Sequence, residues 1–155
     1  VVSQMTFLPD LMKETFESLQ LGWLGILCIS VLGPILEELL FRGAITKVLL
    51  EKYESTTAIL LSGLIFGIFH INPVQVVSAT LAGIFFAWLY YKTRNLLPCI
   101  LIHIFNNSLS VYLTKTYPEV ETTAELIGTA WTVVLCAVSA VVLVLAVKQL
   151  NRKNW

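Results

Sequence analysis

Between residues 21 and 147 the chain is a succession of apolar runs joined by short polar hinges, and a soluble fold has nowhere to hide them all. The runs cover 21–50, 56–71, 74–91, 96–113 and 124–147. Hydrophobic residues make up 57% of the 155 positions and charged residues 13%, against roughly 45–50% and 25% in soluble domains. Mean hydropathy is +0.81. That balance excludes an ordinary soluble enzyme, a disordered chain and a basic nucleic-acid binder. The formal net charge of zero offers no field for an acidic partner. Buried strands are the competing reading of a short apolar run. In hydrocarbon, however, backbone groups must pair within their own segment, which favours helices. The expected fold is therefore all-α, a multi-spanning transmembrane helix bundle of about five to six membrane helices.

The runs set the expected organisation. Residues 1–20 read as an amphipathic interfacial helix, with Leu11, Met12, Phe16 and Leu19 at roughly helical spacing. Residues 1–17 lack the basic-then-apolar order of a cleaved signal peptide. Residues 21–113 form the membrane core, and 114–155 a polar loop and a C-terminal transmembrane helix. Within the core, Gly33-Pro34 predicts a helix that ends and restarts at the proline. Asn72-Pro73 predicts a tight turn. Pro98 suits a first helical turn. Trp88, Tyr90 and Tyr91 resemble an interfacial aromatic belt. Gly63, Gly67 and Gly83 permit close helix approach. Cys28, Cys99 and Cys136 lie apart in apolar runs and read as small buried hydrophobes. With the hinges at 51–55 and 92–95 and the C-terminus on one side, that side collects Lys47, Lys52, Lys92, Arg94, Lys148, Arg152 and Lys153, and the positive-inside rule makes it cytoplasmic.

Setting the hinges aside leaves Glu37, Glu38, Arg42, His70, His103, Asn106 and Asn107 at membrane depth, each costly unless paired or wetted. Glu38 and Arg42 are four apart, share a helix face and can pair. A buried pair that fixes helix packing is the plainer reading of those two. Glu37 points about 100° around the helix, free to face a cavity. Phe66 shares a face with His70, and His103 with Asn107. Alone, His70 could be a packing histidine, and His103 with Asn107 an interhelical clasp. Helix rise links the elements. Glu37 lies 16 residues before Tyr53 and His70 lies 17 after it, so an antiparallel pair puts both about 24–26 Å from that hinge. His103, about 13 Å past the Arg94 hinge, matches that level less well.

These residue types suit hydrolysis. A carboxylate can take a proton from an attacking water, and a histidine can orient the water or protonate a leaving amine. A second histidine and an amide can donate to a developing oxyanion. Glu37, His70 and His103 could instead hold zinc with an open position, although the usual HExxH helix pattern is absent. A membrane immunity or partner protein without enzymatic activity, and a small transporter subunit using the same buried charges as an ion path, are the rival readings.

Three ordered motifs narrow the choice. EExxxR is present as Glu37 to Arg42, FxxxH as Phe66 to His70, and HxxxN as His103 to Asn107. Together they resemble the CPBP family (CAAX proteases and bacteriocin-processing enzymes, also called Abi), intramembrane proteases related to the type II CAAX prenyl endopeptidase. The resemblance covers roughly residues 20–113. It implies an intramembrane endopeptidase in which Glu37, with His70, activates water, while His103 and Asn107 stabilise the oxyanion. Glu38, Arg42 and Phe66 then support the site. It further implies a glutamate-type mechanism with no cofactor, metalloprotease chemistry being the alternative. The expected partners are a peptide or prenylated protein substrate and the lipid bilayer, with no nucleic acid. The expected location is a bacterial cell membrane.

Overall fold

The computed structural model describes residues 13–120 and 123–152. Among these the secondary structure is helical, with no strand. We number the helices α1 (Lys13–Leu19), α2 (Trp23–Lys52), α3 (Ser55–Phe69), α4 (Pro73–Thr93), α5 (Leu97–Thr116), α6 (Thr123–Ile127) and α7 (Thr129–Arg152). Leu11 and Met12 of the expected interfacial helix lie outside the described residues, as does Lys153 among the C-terminal cations. α2, α5 and the Thr129–Leu150 part of α7 are long and apolar enough to cross a bilayer. α3, with 15 residues, rises about 22 Å, short of a hydrocarbon core of about 30 Å.

The largest departure from expectation is in α2, which runs through Pro34 without ending. Proline lacks an N–H and crowds the carbonyl four residues earlier. The preceding turn, Cys28–Leu32, widens to a π-helix, and the Gly33 N–H donates to the Cys28 carbonyl five residues back. A second π stretch covers Leu39–Thr46, where the Thr46 hydroxyl donates to the Phe41 carbonyl at 2.8 Å. These wide turns have a consequence for burial. Ser30, Pro34, Glu38, Arg42 and Thr46 are all buried, one every fourth residue. In a regular α-helix a four-residue step drifts about 40° around the axis. Wider turns cancel that drift and hold the stripe on one face. The stripe is largely polar, while Leu36, Leu39 and Leu40 face outward, the inversion expected where the surroundings are lipid rather than water.

α3 and α4 form a tight antiparallel hairpin. A Cβ placed on Gly83 would lie 2.9 Å from the Gly63 Cα, and one on Gly67 would lie 2.8 Å from the Val76 carbonyl oxygen. Glycine is required there because the two backbones touch. The turn between them holds Ile71 at φ 58°, a left-handed conformation costly for a β-branched residue. Asn72 is fully buried, and its carbonyl accepts from the Gln75 and Val76 N–H groups as α4 begins at Pro73. Pro98 sits in the first turn of α5.

α7 stands largely apart. None of its membrane-length window is buried, and near its C-terminal end Leu150 packs against the cluster of Phe86, Leu89 and Cys99. That contact brings the Lys148 end of α7 to the side of the Lys92–Arg94 hinge, as the charge alternation requires. At the same hinge the Arg94 guanidinium lies 5.4 Å from the Tyr91 ring. The cysteines divide. Cys99 is buried as expected, but Cys28 and Cys136 are exposed on outward faces, and all three are free thiols. An apolar sequence context fixes only that a side chain avoids water, and lipid-facing positions meet that condition as well as core ones.

Candidate active site

Four helices meet at the polar stripe of α2. Arg42 is fully buried, and its Nη1 donates to Glu38 Oε1 at 3.0 Å. Its Nη2 donates to the Gly83 carbonyl on α4 at 3.1 Å. The guanidinium carbon lies 4.4 Å from the centre of the Phe66 ring on α3 and 5.1 Å from that of Phe86 on α4. A cation in such a place needs both a counter-charge and ring faces, and the stripe supplies both. Glu38 Oε1 is also hydrogen-bonded with His103 Nδ1 on α5, 2.9 Å away. Glu38, with no exposed surface, is thus joined to two cationic or donor groups at once.

Glu37, the next residue, has a different environment. Its side chain is 29% exposed, and its Oε2 lies 3.7 Å from His103 Nε2, beyond hydrogen-bond length. Oε2 is itself buried and has no hydrogen-bond partner among the described residues. Glu38 Oε2 is likewise buried and without a partner, so the two glutamates differ in the bonds that Glu38 makes through Oε1 and in exposure. His103 stands between them, one ring nitrogen toward each. Its ring stacks on Phe86 with centroids 5.2 Å apart.

The remaining expected residues fall nearby. Phe66 and His70 pack ring against ring at 4.7 Å, and Phe66 reaches His103 at 6.0 Å. Phe66 thus contacts both histidines. His70 Nδ1 donates to the Phe66 carbonyl at 2.9 Å; a carbonyl can only accept, so Nε2 is the nitrogen left for chemistry. The register of α2 against α3 is set by Thr46 with Ser62, whose hydroxyls are 2.7 Å apart, and by Phe41 with Phe66 at 4.8 Å. Four residues further along each helix bring Glu37 to the level of His70. No hydrogen bond joins Glu37 to His70; the imidazole closest to Glu37 in the described contacts is His103. Asn107, one turn beyond His103, donates from Nδ2 to the Ile29 carbonyl on α2 at 3.2 Å, a clasp between α5 and α2.

His103 reaches the glutamates despite its mismatched distance from the hinge. A Cβ on Gly43 would lie 3.6 Å from Leu96 Cδ1. The α4–α5 hinge therefore sits beside Gly43 and not beside Tyr53, about 15 Å inward along α2. Counting both levels from one plane underestimated His103 by that offset. Sequence reasoning gave no role to the Gly83 carbonyl or to Phe86. The carbonyl leaves no signal in sequence, and Phe86 has no motif partner within its own helix.

Among the described residues no group of three His, Cys, Asp or Glu side chains is placed to hold a metal ion.

Comparison with known proteins supports the same region. Residues 19–109 match the family model described as type II CAAX prenyl endopeptidase Rce1-like. Over 90 residues the chain is 38% identical to the protein named Putative membrane peptidase YdiL from Bacillus subtilis (strain 168). That alignment covers 58% of this chain and 37% of the relative's length, so the chain spans little more than a third of the protein it matches. No solved structure matches the chain.

Proposed function

This chain belongs to the type II CAAX prenyl endopeptidase Rce1-like family, and from that premise we propose that it is an intramembrane endopeptidase whose working carboxylate is Glu37. The observation that carries the reading is the contrast within one helical turn. Both keep a buried Oε2 without a hydrogen-bond partner among the described residues, but Glu38 is fully buried and joined through Oε1 to Arg42 and His103, while Glu37 is part-exposed and stands beside an imidazole that it does not bond. A structural carboxylate would be paired in this setting. One held for proton transfer must stay open.

In the proposed reaction a water oxygen bonds to the carbonyl carbon of the scissile peptide as Glu37 takes the water's proton. The carbonyl electrons move onto oxygen, and Asn107, together with His103 when its ring carries both protons, is the donor nearest to stabilise that oxyanion. Asn107 must then turn from the Ile29 carbonyl toward substrate. Collapse breaks the C–N bond and passes the proton from Glu37 to the leaving amine, leaving a carboxylic acid and an amine. His70, with Nδ1 committed to the Phe66 carbonyl, offers Nε2 to orient the water. Phe41, Phe66 and Phe86 keep the site apolar, which strengthens each charged hydrogen bond within it. Residues 21–113 are the proposed catalytic membrane core, and the outlying α7 an addition beyond the family match. The proposed substrate is a membrane-associated or prenylated, CAAX-type polypeptide, and the proposed location a bacterial cell membrane. No metal has a role in this scheme.

The test is cleavage in liposomes. The reconstituted protein is offered membrane-anchored peptides, with and without a prenyl group, and products are read by mass spectrometry. Wild-type protein should release product with or without a chelator, and Glu37→Ala should release none. Product from Glu37→Ala at the wild-type rate would end the peptidase reading, and loss of product with chelator would replace the glutamate mechanism by a metal one.

A further inference from the structure

Glu38 does more at this site than neutralise Arg42. Its Oε1 receives a hydrogen bond from Arg42 Nη1 at 3.0 Å and lies 2.9 Å from His103 Nδ1, within hydrogen-bond length. A carboxylate facing a guanidinium is the ionised, acceptor-only form. The hydrogen between Glu38 and His103 must then belong to the imidazole. We infer that Glu38 is a positioning residue that fixes the proton of His103 on Nδ1, so that Nε2, facing Glu37, is the one nitrogen of His103 available for the reaction.

The neighbours of His103 all fit this assignment. From α2 it faces Glu37, Glu38 and, through Glu38, Arg42. From α3 it meets Phe66, whose ring also packs against His70. From α4 it meets the Phe86 ring face. Among these, Glu38 Oε1 is the acceptor within hydrogen-bond length of either ring nitrogen. The stacked Phe86 ring and the Glu38 bond together hold the imidazole plane, and the tether from Arg42 to the Gly83 carbonyl holds Glu38 in turn.

The assignment has a chemical consequence. With Nδ1 protonated, a neutral His103 presents a lone pair at Nε2 and can only accept a proton there. It can donate to an oxyanion from Nε2 only when the ring carries both protons. The EExxxR element thus controls two things: the acceptor beside Glu37, and the form in which His103 works. The buried Glu38–Arg42 pair belongs to the site's function as well as to its packing.

The activity consequence rests on the proposed peptidase reading, but the tautomer does not, so the two can fail separately. The experiment is nitrogen-15 NMR of histidine-labelled protein in lipid, with His70→Gln used to assign His103. Neutral His103 should show a protonated-type resonance at Nδ1 and a lone-pair-type resonance at Nε2. The reverse pattern in wild-type protein would overturn the assignment without any variant. Glu38→Gln keeps an oxygen acceptor and should keep the tautomer. The double variant Glu38→Leu with Arg42→Leu removes acceptor and cation together, and His103 should then populate the Nε2–H form. Cleavage by the double variant should fall by about 100-fold or more, as when a catalytic imidazole loses its orienting carboxylate, with Glu38→Gln intermediate. An Nδ1–H tautomer that persists in a folded double variant would refute the positioning role. A shifted tautomer in a protein that cleaves nothing at all, wild type included, would spare the positioning role and remove the peptidase reading.

Discussion

Adjacent glutamates in one buried helix turn should respond oppositely to the same substitution. Glu38→Met removes the counter-charge of a guanidinium with no exposed surface and the acceptor of His103. Breaking a buried pair from one side costs about 3–5 kcal/mol. Glu37→Met removes a carboxylate whose Oε2 is buried and without a hydrogen-bond partner among the described residues, as is Glu38 Oε2, so that relief is common to both variants. An unsatisfied buried polar atom costs about 1–3 kcal/mol. Because the Glu37 side chain is 29% exposed, relief at the low end is expected, about 0–1 kcal/mol of added stability. The two variants should therefore differ by about 4 kcal/mol, nearly a thousandfold in the folded-to-unfolded ratio. Reversible unfolding by SDS in mixed micelles, followed by circular dichroism, measures both on one scale. Equal losses in the two variants, or a loss above about 1 kcal/mol from Glu37→Met, would refute the division between a paired and a reserved carboxylate.

Other consequences follow from the same contacts. In the unfolding assay, Glu38→Leu combined with Arg42→Leu should recover most of the loss caused by Glu38→Met, because no charge is then left buried alone. Gly83→Val places a branched side chain against the Gly63 backbone, 2.9 Å from where a Cβ would start, and should cost about 1–3 kcal/mol or more in a detergent melt. Thr46→Val breaks the buried hydroxyl pair with Ser62, and a double-mutant cycle with Ser62→Ala should give a coupling of about 0.6–1.7 kcal/mol. Asn107→Ala loses one hydrogen bond to Ile29 and should cost about 1 kcal/mol of stability, with a larger proportional loss of cleavage.

The parts of this fold that sequence reveals are those fixed by local geometry. The level of Glu37 with His70 follows from helix rise alone, because α2 and α3 are joined by Tyr53 and Glu54 without intervening structure. The Glu38–Arg42 pair follows from four-residue spacing, and the α3–α4 contact from its glycines. Long-range placement was less legible. Pro34 signalled a break because a π turn leaves no mark in composition, although that turn lets the helix pass and keeps the polar stripe aligned. His103 was placed at the wrong depth because the level of the α4–α5 hinge depends on Leu96 meeting Gly43, a tertiary contact. The bond from His103 to Glu38 combines that offset with the side-chain geometry of two helices, so no single stretch of sequence encodes it.

The central claim is that Glu37 and His70, on neighbouring helices, lie at one level of the membrane. Nitroxide labels on Glu37→Cys and His70→Cys, in a protein with Cys28, Cys99 and Cys136 replaced, test it by continuous-wave EPR in liposomes. Neighbouring helix axes lie about 8–10 Å apart, so strong dipolar broadening is expected. Labels at Glu37→Cys and Tyr53→Cys, separated by about 24 Å along one helix, should show none. Spectra of the 37–70 pair as narrow as those of the 37–53 pair would contradict the account.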